Sequence, residues 1–385
     1  MTLSATYIFH AGQLLQNHVL ELDENGLVLN LRPVLPTEDV AVLDGILCPG
    51  FVNAHCHLEL TAFGGKIPEG TGMVGFVRSL MTARREAQLS VAIQEEAVHK
   101  AMREMWQAGT VLVGDICNGP ISLSAKKAFP QLHTHSFIEI LGLAAEKAEE
   151  ILANGNSLAQ QFGDLPHSLS PHAPYSMSAA LLEKVYATRS QLFSIHLLES
   201  MAERQLFEQG NGPFLDFYRS FGIPFQTFSD QKTLDHITKN LPAAQSVLWV
   251  HNTEMQPDEY DFLIQHFSHS YFCLCPRSNQ FIHGKKADLK LFQQHPDHIC
   301  LGTDSLASNH SLDVFAEAVD MHLDHPDLPL TEVLSFLTIN GAKALQQANV
   351  LGDFSIGKQP GVNLIQHPDW ENFRLTNESR VRKIL

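Results

Sequence analysis

The chain has 385 residues, with 26 basic and 42 acidic side chains, so its formal net charge is −16. Hydrophobic residues make up 44 % and charged residues 18 % of the sequence, which is typical of a large globular protein and excludes a disordered or collagen-like chain. The acidic charge argues against nucleic-acid and anionic-membrane partners, because both carry negative charge themselves.

The first residues, MTLSATYIFHAGQLLQ, lack the basic start, long apolar run and cleavage site of a secretory signal. No run of about 18 apolar residues predicts a membrane span. The six cysteines include no CxxC pair and lie mostly in apolar runs, where a free thiol behaves as a small hydrophobe. We therefore expect a cytoplasmic protein with reduced cysteines.

Both ends of the chain have the pattern of short strands and turns. Residues 1–48 contain several such strands, and the DENG stretch at 23–26 predicts a hairpin turn between two of them. Residues 351–385 have the same character. We expect residues 1–48 and 351–385 to form one small β-sandwich domain, with residues 49–350 as a separate domain.

Between the two ends, short apolar runs alternate with longer helical patterns such as residues 90–109 and 179–189. The apolar runs lie at residues 46–57, 110–117, 132–143, 167–176, 192–200, 246–253, 270–279 and 298–305. Eight β-α units predict an α/β fold in which a parallel sheet closes into a (β/α)8 TIM barrel. Seven runs carry polar residues at their C-terminal ends, where this fold builds its active site.

The polar residues at these strand ends include a metal-binding pattern. His55 and His57 alternate along the first run, so both imidazoles point to the same side of the strand. His196 ends the fifth run, His251 the sixth, and Asp304 the eighth. Imidazoles with one carboxylate suit Zn²⁺, or Fe²⁺, with one coordination position left open for water.

Glu199 follows His196 by three residues and should lie at the rim of the same pocket. Metal ligands, a water molecule and a nearby acid or base are the parts of a metal-activated hydrolysis. A set of buried core histidines with a helix-capping aspartate is the structural alternative, but it does not explain why these residues fall at one end of the barrel.

A second His-x-His pair, His133 and His135, begins the third run and is expected at the opposite end of the barrel, in a structural or surface role. His172 ends the fourth run and faces the barrel mouth. It is expected to contact substrate, although a turn residue fixed between two prolines is the alternative.

The remaining candidates for substrate binding lie in the segments that follow four of the strands. Residues 58–80 can form a lid, whose glycines allow either mobility or simple turns. Residues after the eighth strand shape the pocket or cap the next helix. The candidate contacts are Phe63, Glu69, Phe76, Glu139, Arg277, Asn279 and Ser308.

The segments PGFVNAHCH, SPHAPYS, HLLES, VHNT, CPRSN and LGTDSLASN, in this order, resemble the amidohydrolase superfamily. The resemblance spans nearly the whole chain. It is strongest to the cytosine-deaminase-like and chlorohydrolase-like branch, which includes adenosine-type, S-adenosylhomocysteine, guanine and aminofutalosine deaminases.

The resemblance implies a role for each residue at the strand ends. His55, His57, His196 and Asp304 match the ligands of a single metal ion. Glu199 matches the carboxylate that shuttles a proton to a ring nitrogen. By the same resemblance, His251 orients or deprotonates the metal-bound water, and Asp304 accepts or relays a proton. Two-metal members carry a carboxylated lysine at the end of the fourth strand, and residues 167–176 contain no lysine.

The expected activity is that of a metal-dependent aminohydrolase. It would deaminate an aminopurine nucleoside through a metal-bound hydroxide and release ammonia, with 6-aminodeoxyfutalosine as the first candidate substrate. S-adenosylhomocysteine, methylthioadenosine, adenosine and guanine stay open. So does hydrolysis of a cyclic amide, pterin, pyrimidine or halide substrate, and so does a non-catalytic scaffold on the same barrel. The expected partner is a small molecule, with a homodimer as the default assembly.

Overall fold

The computed structural model describes residues 1–223 and 232–385. Its strands are β1 (Thr2–His10), β2 (Gln13–Leu15), β3 (His18–Leu22), β4 (Val28–Pro33), β5 (Val42–Pro49), β6 (Phe51–Cys56), β7 (Thr110–Cys117), β8 (His133–Ile140), β9 (His167–Pro171), β10 (Leu192–Leu197), β11 (Ser246–His251), β12 (His269–Leu274), β13 (Ile299–Leu301), β14 (Val362–Gln366) and β15 (Arg380–Lys383).

The α-helices lie mostly between these strands. They are α1 (Gly72–Ala87), α2 (Val91–Gln107), α3 (Leu123–Ala128), α4 (Ala148–Phe162), α5 (Ala179–Ala187), α6 (Met201–Arg204), α7 (Pro213–Ser220), α8 (Thr233–Thr238), α9 (Pro257–His266), α10 (Pro276–His283), α11 (Leu289–Phe292), α12 (Val314–Asp324), α13 (Leu330–Leu337) and α14 (Ile339–Ala344). A 3₁₀ helix, Leu58–Phe63, follows β6 directly.

The central strands form two parallel four-stranded sheets, β6 to β9 and β10 to β13. Hydrogen bonds join the two sheets at both of their edges. At one edge the His196 N–H donates to the His172 carbonyl at 2.9 Å, and at the other the Asp304 N–H donates to the His55 carbonyl at 3.1 Å. The eight strands therefore close into a barrel, which confirms the predicted fold class.

Several strands end earlier than their apolar runs, and the early end of the seventh changes the prediction for the site. The seventh run was expected to continue to residue 279, but β12 ends at Leu274 and α10 begins at Pro276. Proline fits the first turn of a helix because that turn needs no N–H donor there. Residues 276–279 are thus helical, and their side chains take different directions from those of a strand end.

Strands from both ends of the chain meet in one seven-stranded sheet, in the order β15-β14-β5-β1-β3-β4 with β2 paired to β1. The predicted turn between β3 and β4 is present, and the Asp23 carboxylate accepts the N–H groups of Asn25 and Leu27, each at 2.8 Å. The division into domains at residues 48 and 351 stays a prediction.

The helices pack closely around the barrel, and α4 gives the clearest case. A Cβ atom on Gly155 would lie 2.2 Å from Cδ1 of Ile140, so a side chain there would push α4 away from β8. At the C-terminal side of the barrel, α1 and α7 share an apolar cluster that includes Met73, Phe76, Phe214 and Phe217. These two helices cover part of the barrel mouth.

All six cysteines are buried and carry free thiols. Within residues 1–223 and 232–385, none of the helices has both the length and the apolar character needed to cross a bilayer.

Candidate active site

Four side chains predicted as metal ligands meet at the C-terminal ends of the barrel strands. His57 Nε2 lies 3.2 Å from His196 Nε2 and 3.4 Å from Asp304 Oδ1. His55 Nε2 lies 3.7 Å from the same aspartate oxygen. The nearest ring nitrogens of His55, His196 and His251 also lie within 4.8 Å of one another. The strand ends thus bring together the residues that the sequence pattern selected.

The surroundings of these histidines fit a cation. His55 Nε2 is buried and has no hydrogen-bond partner, which is costly for a polar atom unless something else binds there. Burial lowers the pKa of His55 to about 4 and that of His196 well below its usual value. Both rings are therefore neutral at pH 7, and the neutral imidazole is the form that binds metal ions. Nitrogen donors with one carboxylate match Zn²⁺ or Fe²⁺.

Asp304 is oriented by two serines. Ser278 Oγ and Ser308 Oγ each donate a hydrogen bond to Asp304 Oδ2 at 2.6 Å. The other carboxylate oxygen, Oδ1, is the one nearest to His55 and His57. Ser308 was predicted to contact substrate, but the structure places its hydroxyl on Asp304 instead.

Two site residues have an unusual backbone conformation. The φ angle is 71° at His251 and 56° at Asp304, in the left-handed region that residues other than glycine seldom adopt. Such a conformation costs free energy of order 1–3 kcal/mol, so the surrounding structure must hold it in place. At these two strand ends it directs an imidazole and a carboxylate toward the same point.

Glu199 lies beside this cluster and is almost completely buried. Its Oε1 is 3.6 Å from His251 Nε2 and 3.8 Å from His283 Nε2. Burial alone would raise the pKa of the Glu199 carboxyl, but the two histidines outweigh it and the pKa is lowered. The carboxyl group thus has imidazole nitrogens on two sides.

Asn279 supports this arrangement through His251. Its side-chain oxygen lies 2.8 Å from His251 Nδ1 and accepts the proton on that nitrogen. Asn279 is fully buried in the first turn of α10 and was predicted as a substrate contact. The structure places it on His251, because the chain has already turned into the helix at this point.

A cavity of about 1080 Å³ opens above the cluster. Its floor is polar and its walls are mostly apolar, supplied by α1, α4 and α7. The polar floor includes His57, Glu139, His172, His196, Glu199, His251 and Asp304. The apolar walls include Met73, Phe76, Val77, Leu80, Ile151, Leu158, Phe214 and Phe217. The predicted contacts His172, Glu139 and Phe76 therefore line the cavity.

Glu139 and His172 lie side by side on the cavity floor. Glu139 Oε2 accepts a hydrogen bond from Asn118 at 2.7 Å, and Oε1 is buried without a partner, 3.8 Å from His172 Nε2. His172 is held from its other side, where Nδ1 lies 2.6 Å from Ser176 Oγ. Burial raises the pKa of Glu139 and lowers that of His172 to about 4. The pair can accept hydrogen bonds from a polar ligand.

Besides Asn279 and Ser308, three further predicted contacts do not line the cavity. Phe63 is buried in the apolar cluster beneath α1. Glu69 is exposed at the surface, 3.5 Å from His310 Nε2. Arg277 is directed toward Ser311, with 3.3 Å between their polar atoms.

The segment predicted as a glycine-rich lid is largely the 3₁₀ helix and α1. Among its residues, Leu60, Met73, Phe76, Val77 and Leu80 line the cavity. A helix, rather than an extended loop, therefore forms this part of the cavity wall.

The second His-x-His pair lies at the N-terminal end of β8, as expected. His133 is exposed, and His135 Nε2 lies 2.9 Å from Ser168 Oγ. Both residues are at the opposite end of the barrel from the histidine cluster.

Two residues next to the site were missed in the sequence. Ser278 contacts Asp304, and His283 contacts Glu199. The missed signal is Pro276, which predicts a helix start. On a helix, Asn279 and His283 are four residues apart and lie on one face.

Comparisons with known proteins agree with this fold. The model of the amidohydrolase family matches residues 46–380. Over 337 residues the chain is 26 % identical to an aminodeoxyfutalosine deaminase of a Nitratiruptor species, an alignment covering 85 % of this chain and 80 % of the relative.

Two solved structures share the fold. Helicobacter pylori aminofutalosine deaminase in complex with methylthio-coformycin is similar with a TM-score of 0.79 and 24 % identity, over 96 % of this chain and 92 % of that one. A zinc-bound adenosine deaminase from Xanthomonas campestris is similar with a TM-score of 0.75 and 20 % identity, and the alignment covers 96 % of this chain and 85 % of that one. With the family model matching most of its length, the chain belongs to the amidohydrolase family.

Proposed function

We propose that this chain is a metal-dependent aminohydrolase that removes the exocyclic amino group of an aminopurine nucleoside. As an amidohydrolase, it is a hydrolase that acts on carbon–nitrogen bonds. The observation that carries the proposal is the position of Glu199. Its buried carboxyl group lies at the cavity floor, beside the cluster of metal-binding side chains. Deamination of a purine needs an acid at this place to protonate a ring nitrogen.

The residues that would hold the metal are His55, His57, His196 and Asp304. Their donor atoms fit one divalent cation, and the zinc bound to the Xanthomonas adenosine deaminase supports Zn²⁺ as the first choice. When bound, such a cation lowers the pKa of a water molecule from about 16 to about 7. A single ion is further supported by the absence of lysine from residues 167–176.

Glu199 and His251 each carry out one of the proton transfers of the reaction. Glu199, whose pKa is lowered, starts as a carboxylate; it takes one proton from the attacking water and passes it to the ring nitrogen next to the carbon that bears the amine, which makes that carbon electrophilic. The Nδ1 proton of His251 is bound by Asn279, so its Nε2 is free to accept a proton from the attacking water. The second proton of that water passes to the amino group, so ammonia leaves, the carbonyl group of the product forms, and both side chains return to their starting state.

The volume of the cavity favours a substrate larger than an unsubstituted nucleoside. Its volume of about 1080 Å³ lies slightly above the range for small-molecule sites, roughly 300–1,000 Å³. Because its walls are apolar, we propose a nucleoside with a bulky apolar substituent on the ribose. The Nitratiruptor relative, an aminodeoxyfutalosine deaminase, and the methylthio-coformycin bound to the Helicobacter enzyme support this class. 6-Aminodeoxyfutalosine is the first substrate to test.

The test is ammonia release from the zinc-loaded protein over a panel of aminopurine compounds. The panel includes 6-aminodeoxyfutalosine, methylthioadenosine, S-adenosylhomocysteine, adenosine and guanine. We expect a kcat/KM of about 10⁴ M⁻¹s⁻¹ or more for at least one substituted nucleoside, within the ordinary range for enzymes. The Asp304→Ala protein, prepared in the same way, is the inactive control. If the metal-loaded protein released ammonia from none of these compounds, the proposal would be contradicted.

A further inference from the structure

Helix α10 lies behind the site and contacts three of its proton-handling groups. Ser278 donates to Asp304 at 2.6 Å, and the Asn279 oxygen lies 2.8 Å from His251 Nδ1. His283, the last residue of the helix, places Nε2 3.8 Å from Glu199 Oε1. The proposed function assigns a task to each of the contacted groups, but none to His283.

His283 reaches Glu199 from the side that faces away from the cavity. Its ring does not line the cavity, although the neighbouring Ile282 does. The side chain is only 10 % exposed, and Nε2 is buried without a hydrogen-bond partner at normal distance. A buried ring nitrogen without a hydrogen-bond partner costs free energy. The neighbouring Glu199 carboxylate is an acceptor that can become its partner.

The chemistry of the two neighbouring imidazoles differs. With its Nδ1 proton donated to Asn279, a neutral His251 has no proton on Nε2 and cannot donate to Glu199. His283 is not tied to such an acceptor, so its Nε2 can carry a proton. The distance of 3.8 Å is longer than a hydrogen bond, but catalytic contacts are often long before substrate binds and shorten in the complex.

We propose that His283 is a positioning residue, which donates its Nε2 proton to Glu199 Oε1 and so fixes the orientation of the carboxyl group at the cavity floor. The inference rests on the proposed function, since it assigns the support of the acid in that reaction. His283 belongs neither to the metal cluster nor to the cavity lining.

Two substitutions separate hydrogen bonding from packing. His283→Phe fills the space without a donor, whereas the amide of His283→Gln can donate from a position close to that of Nε2. We expect Phe to lower kcat about 10- to 100-fold, the usual cost of removing a supporting contact, with KM and zinc content within about twofold of wild type. Gln should restore most of kcat. His310→Gln, which changes a histidine exposed at the surface, is the matched control.

A second readout does not depend on turnover. In ¹⁵N-histidine NMR spectra of the zinc-loaded protein, the signal lost in His283→Phe identifies this ring. We expect a proton on its Nε2 and a shift of that signal in Glu199→Gln.

The proposal is overturned if the ring carries its proton on Nδ1 only, if Glu199→Gln leaves the signal unchanged, or if His283→Phe keeps wild-type kcat. If the wild-type protein does not deaminate any compound, the proposed function is contradicted instead. The NMR spectra would still show whether His283 donates its Nε2 proton to Glu199.

Discussion

Two rings at the barrel mouth, those of His196 and His251, are each fixed through one nitrogen while the other nitrogen points to the centre of the site. His196 Nδ1 donates to the His172 carbonyl at 3.0 Å, which leaves Nε2 facing His57. His251 Nδ1 donates to Asn279, which leaves Nε2 facing Glu199. Such partners set the tautomer and the ring orientation of metal-site histidines. The site is thus pre-oriented by contacts that sequence spacing alone does not reveal.

Glu199→Gln is the most informative single substitution at this scale. The amide keeps the size of the side chain but cannot deliver a proton, so kcat should fall by about 10²- to 10⁴-fold, the usual contribution of a general acid. Zinc content should stay at the wild-type level, because Glu199 is not among the four proposed ligands. Steady-state kinetics and metal analysis on one preparation test both statements. Turnover at the wild-type rate would require a different acid.

The two serines on Asp304 predict non-additive effects. Either Ser278→Ala or Ser308→Ala leaves one donor on Oδ2, so zinc affinity should change only a few-fold. The double variant leaves that oxygen without either donor and should lose about 10- to 100-fold in affinity. Competition with a metal-binding dye measures the three dissociation constants. A double variant with wild-type affinity would show that the serines do not support Asp304.

At the scale of secondary structure, the end of the seventh strand shows where sequence reasoning succeeded and failed. Alternation along β6 predicted that His55 and His57 share a face, because strand geometry is regular over such a short distance. The directions of Arg277 and Asn279 were not predicted, since they depend on the helix that begins at Pro276. His283 was missed for the same reason.

A buried ion pair joins β7 to α3 below the site. Lys126 Nζ lies 2.6 Å from Asp115 Oδ2, both side chains are fully buried, and Asp115 Oδ1 accepts the Leu58 N–H at 2.9 Å, next to His57. Lys126→Met should lower the free energy of unfolding by about 3–5 kcal/mol, because it leaves a buried carboxylate unpaired.

The control for this pair is the double variant Lys126→Met with Asp115→Asn. It removes both charges and keeps an acceptor for Leu58, so we expect it to be more stable than Lys126→Met alone. Denaturant unfolding of the three proteins measures the differences. A single variant within about 1 kcal/mol of wild type would contradict the account, given the usual cost of breaking a buried pair.

Helix α6 carries a carboxyl group whose ionisation should affect stability. Glu203 is fully buried, accepts the Glu199 N–H at 3.1 Å, and has its pKa raised by burial to about 8. Between about pH 4.5 and 8 the folded protein keeps this proton and the unfolded chain loses it. The folded state therefore binds more protons, and this group's contribution to the free energy of unfolding falls as pH rises.

Glu203→Gln removes the titration and keeps an acceptor for the Glu199 N–H. Its stability relative to wild type should increase steadily from pH 5 to pH 8. Denaturant unfolding at several pH values measures the difference in stability. Because the two proteins have the same metal ligands, the pH dependence that these ligands cause is removed when one protein is compared with the other. A difference that does not change with pH would show that Glu203 ionises normally in the folded protein.

For the whole molecule, eight β-α units and polar strand ends were enough to predict the barrel and the end at which its site lies. The cavity was less predictable. Phe76 lines it whereas Phe63 and Glu69 do not, because residues 58–87 fold into two helices whose inner faces are set by packing against α7. Local pattern decides which residues meet at the strand ends, but long-range packing decides which of the rim residues reach a ligand.

The most direct test of the whole account is a titration of chelator-treated protein with zinc, followed by ammonia release from the best nucleoside of the panel. We expect no turnover without metal, a linear rise with added zinc, and saturation at about one equivalent of zinc per chain, since the four proposed ligands would all hold the same ion and leave it a position for water. Full turnover without metal, or a rise that continues to two equivalents, would contradict the proposed single-ion site.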